Sequence, residues 1–382
     1  MTKPTKTLVP KLRFPEFWDA ESWKIKPFDE LFTIGNGKDY KHLSSGDVPV
    51  YGSGGYMLSV NDYLYDGESV CIGRKGTIDK PMFLTGKFWT VDTLFYTHSY
   101  KVCLPKFVYL IFQNINWLSH NEAGGVPSLS KANISKIEVA VPTLDEQQKI
   151  AHCLSSIDEL ITEQTIKIAA LKDHKKGLMQ QLFPAEGETV PQLRFAEFQD
   201  AGEWEMKEVG KVFEVTRGYV LSMGLVKATE SEETPFPVYS SQTKNNGLAG
   251  FYNDYLYESA ITWTTDGANA GDVNYRHGKF YCTNVCGVLI NNDGFANLCT
   301  AALLNSVSKK YVSYVGNPKL MNGVMSKIEI PFPSVPEQQK ISDCLSSIDE
   351  LITAQIQKLE ALKTHKNGLM QQLFPNADEV NE

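Results

Sequence analysis

The chain has 382 residues, 42% of them apolar, which is enough for two or three domains that each bury a core. No run of 18 apolar residues occurs and the N-terminal MTKPTKTLVPKLRF has no apolar signal core, so neither a membrane span nor secretion is indicated and a cytoplasmic protein is expected. Seven scattered cysteines with no CxxC spacing fit reduced thiols, and a net charge of −8 argues against unaided nucleic-acid binding, since phosphates attract cations.

Residues 1–142 read as a first globular unit of mixed α/β structure with predominantly antiparallel strands. SVCIG from Ser69 and FWTVDTLFYT from Phe88 are β-rich, and LPKFVYLIFQNI from Leu104 has the pattern of a short amphipathic helix. Residues 143–184 form a long helix. Thr143-x-x-Glu146 has the form of a capping box, in which the glutamate returns to the N-cap, and Pro184 stops the helix. Residues 185–333 form a second unit, with SAITWTT from Ser259 as a strand. Residues 334–382 hold a second long helix and a short tail, opened by Ser334-x-x-Glu337 and stopped by Pro375.

The two helices are nearly the same sequence. Residues 146–184 and 337–375, offset by 191, agree at 30 of 39 positions. The units open alike, VPKLRFPEF from Val9 and VPQLRFAEF from Val190, and share PVY, NDYLY, GKF and SKIE before diverging between those anchors. A partner gripped twice and two targets read once each would give this pattern; a recombination confined to the helices is the alternative.

Ile150, Leu154, Ile157, Ile161, Gln164, Ile168, Leu171, Lys175, Leu178 and Leu182 step by three and four, and the second copy repeats the steps from Ile341 to Leu373. Such heptads predict a coiled coil. Antiparallel pairing within the chain is expected, with an internal pseudo-two-fold axis. Docking of each seam onto a globular domain is the other use of such a face. Off the seam, Ser155, Ser156, Asp158 and Glu159 recur unchanged as Ser346, Ser347, Asp349 and Glu350. Solvated faces usually drift, so this identity points to a partner-docking surface used twice.

The divergent loops carry the candidate contacts to DNA. In the first unit these are Lys38, Lys41, Arg74, Lys75, Lys87 and Lys131. In the second they are Arg217, Asp266, Asn269, Arg276, Lys279, Lys319 and Asn322. Arginine, lysine and asparagine can hydrogen-bond base edges, and aspartate can accept from cytosine. Catalytic motifs are missing: no Walker A, HExxH, GxSxG or amino-methyltransferase tetrapeptide occurs, and Asn317-Pro318-Lys319 lacks the second proline and the aromatic. His277, Cys282 and Cys286 lack a fourth ligand and a familiar spacing, so no metal is expected.

The repeated plan, the EQQKI start of each helix, GRKGTI at 73–78, WTVDTLF at 89–95 and WTTDGANAG at 263–271 resemble the specificity subunit of type I restriction–modification enzymes, from about Val9 to Pro375. The resemblance implies two target-recognition domains, each reading half of a bipartite, asymmetric site on double-stranded DNA, with the helices setting the spacer. It implies two modification subunits carrying S-adenosylmethionine and restriction subunits using ATP and magnesium. This chain would bind no cofactor and catalyse nothing. A stand-alone methyltransferase or nuclease, and a purely structural coiled-coil adaptor, are the alternatives.

Overall fold

The computed structural model describes residues 8–241 and 245–375, so the first seven residues assigned to the first domain and the last seven assigned to the tail lie outside the described part. The chain divides into two compact units. One comprises the residues up to Thr165 together with those from Gln357 on, and the other is Ile166–Ile356. Among the described residues four helices of eight residues or more organise them: α1 (Pro105–Asn114), α2 (Leu144–Leu182), α3 (Leu298–Val307) and α4 (Val335–Leu373). Among the described residues no helix is long and apolar enough to cross a membrane.

In the first unit Lys24–Pro27 pairs antiparallel with Glu138–Val141, bringing the start of the domain beside the strand that leads into α2. One four-stranded sheet runs Thr33–Asn36, Leu94–His98, Ser69–Gly73, Met82–Leu84; another runs Gly55–Val60, Ser45–Gly52, Lys87–Thr90, Tyr65–Asp66. The expected FWTVDTLFYT strand is thus two strands broken by a turn at Val91–Thr93, where the amide of Leu94 donates to the carbonyl of Val91 at 2.9 Å.

The second unit repeats the plan in one six-stranded sheet: Glu214–Arg217, Cys286–Ile290, Tyr257–Thr264, Val273–Cys282, Phe236–Tyr239, Leu248–Tyr252. Val273–Cys282 does in one strand what Met82–Leu84 and Lys87–Thr90 do in two. Among the described residues pairing is antiparallel except where Val50 meets Trp89 and Val238 meets Tyr281, which occupy matching places. Glu205–Glu208 pairs with Glu329–Phe332 as the counterpart of the strand pair at the base of the first unit.

The long helices pair antiparallel, as each unit shows on its own. In the first unit Lys366 Nζ of α4 lies 2.7 Å from Asp158 Oδ1 of α2. In the second, Lys175 Nζ of α2 lies 2.6 Å from Asp349 Oδ1 of α4. Every seam position is buried or half-buried, Gln164 included at 6% exposure. Docking onto the domains also occurs, at the helix ends. Ile150, Leu154 and Ile157 join the first core, together with Met370, Leu373 and Phe374 from the end of α4. Ile341, Leu345, Leu182 and Phe183 do the same in the second. The Phe374 ring stacks on Phe107 at 5.5 Å and meets Trp23 edge-on at 6.0 Å.

The capping boxes are not used as expected. Glu146 is 1% exposed, and both its carboxylate oxygens accept from Arg13, Nε at 2.8 Å and Nη2 at 2.7 Å, with Trp23 Nε1 adding a bond at 3.2 Å. Glu337 accepts from Arg194 in the same bidentate way, at 2.7 and 2.8 Å. Arg13 and Arg194 come from the repeated LRF segments. A fork-to-fork arginine–carboxylate pair outbids a return bond to a neutral amide, which is why tertiary structure takes the N3 glutamate.

The next residues of EQQK are committed as well. Gln147 accepts from the amide of Leu104, at the start of α1, and Gln338 accepts from Asn297 and Thr300, at the start of α3. Lys149 pairs with Glu16 at 2.8 Å and Lys340 with Glu197 at 2.9 Å. Both lysines are half exposed, so these pairs contribute little energy.

Candidate nucleic-acid interface

Three chain segments build the candidate site in each unit, and backbone bonds hold them together. In the first, the amide of Arg74 donates to the carbonyl of Thr93 at 2.8 Å, that of Leu129 to Arg74 at 2.9 Å, and that of Gly76 to Pro127 at 2.9 Å. Gly76 sits at φ +85°, a conformation that disfavours any residue with a Cβ. Arg74 and Lys75 are exposed, and with Asn36, Glu122 and Lys131 they line a cleft of about 490 Å³. Lys131 opens a short helix, Lys131–Ser135, capped by Ser130. Glu122 accepts from the amide of Ser130 at 2.8 Å, which holds its carboxyl below the usual carboxylate range.

The second unit reproduces this frame with other side chains. The amide of Thr265 donates to Val285 at 3.0 Å, that of Leu320 to Thr265 at 2.9 Å, and that of Gly267 to Pro318 at 2.9 Å. At the offset of 191, Arg74 becomes Thr265, Lys75 becomes Asp266, Ser128 becomes Lys319 and Lys131 becomes Asn322. The isolated bridge Lys75–Ser128 becomes Asp266–Lys319, whose charged groups lie 3.7 Å apart. Because main-chain groups maintain the frame, its side chains can change without loss of fold.

The remaining candidates separate. Lys38 and Lys41 are exposed on the loop before Ser45–Gly52, and Lys41 borders a second cleft of about 750 Å³ with Gly52–Gly55 and Thr93. Arg217 is exposed at the end of its strand. Lys87 stands 4.8 Å from the Tyr63 ring and Lys279 4.5 Å from the Tyr255 ring, cation–π pairs that give the recurring GKF and NDYLY motifs a local reason. Asn269 is half-buried, with a long 3.4 Å bond to the carbonyl of Ser241. Asn322 donates its amide to the carbonyl of Thr216 at 3.1 Å.

Arg276 lies within the strand Val273–Cys282 and not in a loop. It is 8% exposed, stacks 3.7 Å from the Tyr239 ring centroid, and donates to Thr262 Oγ1 at 3.0 Å and to the carbonyl of Asn246 at 2.7 Å. Burial lowers its pKa from the ordinary arginine range. On the candidate docking face, Asp158 and Asp349 each pair with the seam lysine of the opposite helix. Ser156 and Ser347 bond back to carbonyls four residues earlier on their own helices. Ser155 and Ser346 are half-buried, while Glu159 and Glu350 are exposed. His277 is exposed, whereas Cys282 and Cys286 are buried, and burial pushes the Cys286 thiol up to about 11.

Asn36, Glu122 and Ser128 belong to the first cleft although no motif singles them out. The constant offset that pairs Ser128 with Lys319 was the available signal.

The model of the type I restriction modification DNA specificity domain matches residues 20–172 and again 201–363. A Mycoplasma pneumoniae protein named as the N-terminus of a type I specificity subunit is 42% identical over 143 residues, 37% of this chain and 75% of its own length. A second M. pneumoniae protein named as such a subunit is 30% identical over 246 residues, 63% of this chain and 86% of its own. Among solved structures, the S subunit of a type I restriction–modification system from M. genitalium superposes with a TM-score of 0.70 at 17% identity, covering 97% of this chain and all of that one.

Proposed function

The chain belongs to the type I restriction–modification DNA specificity family, and on that premise we propose that each of its two domains reads one half of a bipartite, asymmetric site on double-stranded DNA. The supporting observation is the shared loop frame with exchanged side chains. Arg74, Lys75 and Lys131 in the first domain suit guanine edges and phosphates; Asp266 in the second suits a cytosine amino group. Two frames alike in backbone and unlike in chemistry are what an asymmetric site requires.

In this reading residues 1–142 and 185–333 are the recognition domains, and the helices at 143–184 and from 334 onward set the spacer. Two modification subunits dock beside the helices, with Glu159 and Glu350 the acidic members of the repeated face that have no intramolecular ion pair among the described residues. They bring S-adenosylmethionine, and restriction subunits bring the ATP- and magnesium-dependent cleavage. The chain itself catalyses neither step and works in the cytoplasm. Its net charge of −8 is then offset by cationic partners, since phosphate contacts supply most non-specific affinity.

A domain exchange tests the proposal. Residues 15–142 are replaced by those of another such subunit, and methylated adenines are mapped by sequencing in cells that express the hybrid with its modification subunits. One half of the methylated motif should change while the other stays. Simultaneous change of both halves would refute modular reading.

A further inference from the structure

We propose that the clamps Arg13–Glu146 and Arg194–Glu337 hold each recognition domain at a fixed angle on its helix and thereby determine how sharply the protein selects spacer length. The inference rests on reading the two domains as half-site readers, and it assigns a positioning role to residues outside the candidate loops.

Each clamp sits at a three-way joint. In the first unit the amide of Leu12 donates to the carbonyl of Gln372 at the end of α4, while the neighbouring Arg13 grips Glu146 at the start of α2. Arg13 also donates to the carbonyls of Ala20 and Glu21, at 2.9 Å each, which lead into the domain's first strand. In the second unit Leu193 donates to Gln181 at 2.9 Å, and Arg194 joins Glu337 to the carbonyls of Ala201 and Gly202. One guanidinium therefore ties a helix start to the domain, and the residue before it ties in the end of the other helix.

The chemistry suits orientation better than stability. A buried ion pair gains little net energy after desolvation, but a planar fork on a carboxylate fixes direction. Both pairs are shielded from solvent, with side-chain exposures of 6% and 1% in the first and 9% and 2% in the second. Gln147 and Gln338 add a second point of attachment one residue along, at the start of α1 or α3. Two anchors at neighbouring positions prevent rotation as well as separation.

The geometric demand is severe. A domain of about 135 residues is roughly 35 Å across, so a loop on the side away from the joint would lie about 30 Å from it. One base pair occupies about 3.4 Å, so a swing of only about 7° would carry the loops from one spacer length to the next. Apolar packing is non-directional, whereas the bidentate clamp, with the glutamine anchor beside it, sets a direction at this joint.

The experiment uses the full chain assembled with its modification subunits and a pool of randomised DNA duplexes, bound, recovered and sequenced. The unsubstituted complex should return two half-site motifs at one spacer length, with neighbouring spacers at least tenfold depleted. Arg13→Met with Glu146→Leu replaces the fork by apolar side chains of similar reach and should preserve the fold. Its pool should keep both half-site motifs but contain spacers one base pair longer and shorter within threefold of the original. Arg13→Lys, which keeps the charge and loses the fork, should behave alike and serves if the double variant does not fold. The same single spacer from a folded variant, or a uniform loss of binding at all spacers, would overturn the positioning role. If the unsubstituted complex returned no half-site motif, the reading beneath the inference would fail instead.

Discussion

Arg74 stands exposed where Ser69–Gly73 ends, with its guanidinium 3.5 Å from the carbonyl of Asp92 and its amide built into the loop frame. Arg74→Ala should leave urea unfolding within about 0.5 kcal/mol, as for other surface changes. It should cost about 1–3 kcal/mol of DNA affinity with relaxed specificity at one position, read by fluorescence anisotropy on cognate and singly substituted duplexes. A loss that is equal for every sequence and smaller in high salt would make Arg74 a phosphate contact instead. Arg276 has the opposite surroundings. Removing its guanidinium leaves the carbonyl of Asn246 and the Tyr239 face without their partner. Arg276→Ala should therefore destabilise the second unit by about 2–4 kcal/mol in the same unfolding assay. Normal stability combined with an altered second half-site would return Arg276 to the list of readers.

At the scale of elements, the seam lysines specify register more than they stabilise. Asp158 and Asp349 are 41% and 45% exposed, and pairs so open to water contribute at most about 1 kcal/mol. The helices start in one core and finish in another, which constrains any test of a ruler. Seven residues added to α2 alone would break its match with α4. Seven added to both, one full heptad, keep the seam in phase and lengthen each helix by about 10 Å. That is close to three base pairs at about 3.4 Å each. The doubly lengthened chain should stay folded and select the same half-sites about three base pairs farther apart, as read by sequencing of bound duplexes. An unchanged spacer would remove the helices from distance setting.

At the scale of the whole molecule, the end of α4 and the Phe374 that follows it are part of the first core. Phe374 is 6% exposed between Phe107 and Trp23, whereas Phe183, its counterpart, belongs to the second core. Phe374→Ala should cost about 3–5 kcal/mol. Hydrogen exchange should locate the loss in α1 and around Trp23, leaving the strands Tyr257–Thr264 and Cys286–Ile290 protected. Phe183→Ala should give the reverse pattern. Equal loss in both units would mean that they unfold as one body.

The amino-acid order by itself determined the two long helices, their seam and the repeated plan of the units, because these depend on periodicity within a few turns and on comparison of the chain with itself. The frame loops were also legible, since Gly76 and Gly267 and the Pro127 and Pro318 they bond to recur at one offset. Only the tertiary structure decided which side chains those loops leave free. Arg276 and Arg74 are the same residue type in similarly polar stretches of sequence, yet Arg276 lies within the strand Val273–Cys282 and its hydrogen-bond partners are Thr262 and Asn246, 14 and 30 residues away. The glutamate of EQQK looked like a cap because its partner, Arg13, is 133 residues distant, and the ion pair of Asp158 was equally hidden because Lys366 is 208 residues distant. Local pattern registers what a residue can do with its neighbours in sequence; burial and charge pairing depend on the neighbours that folding supplies.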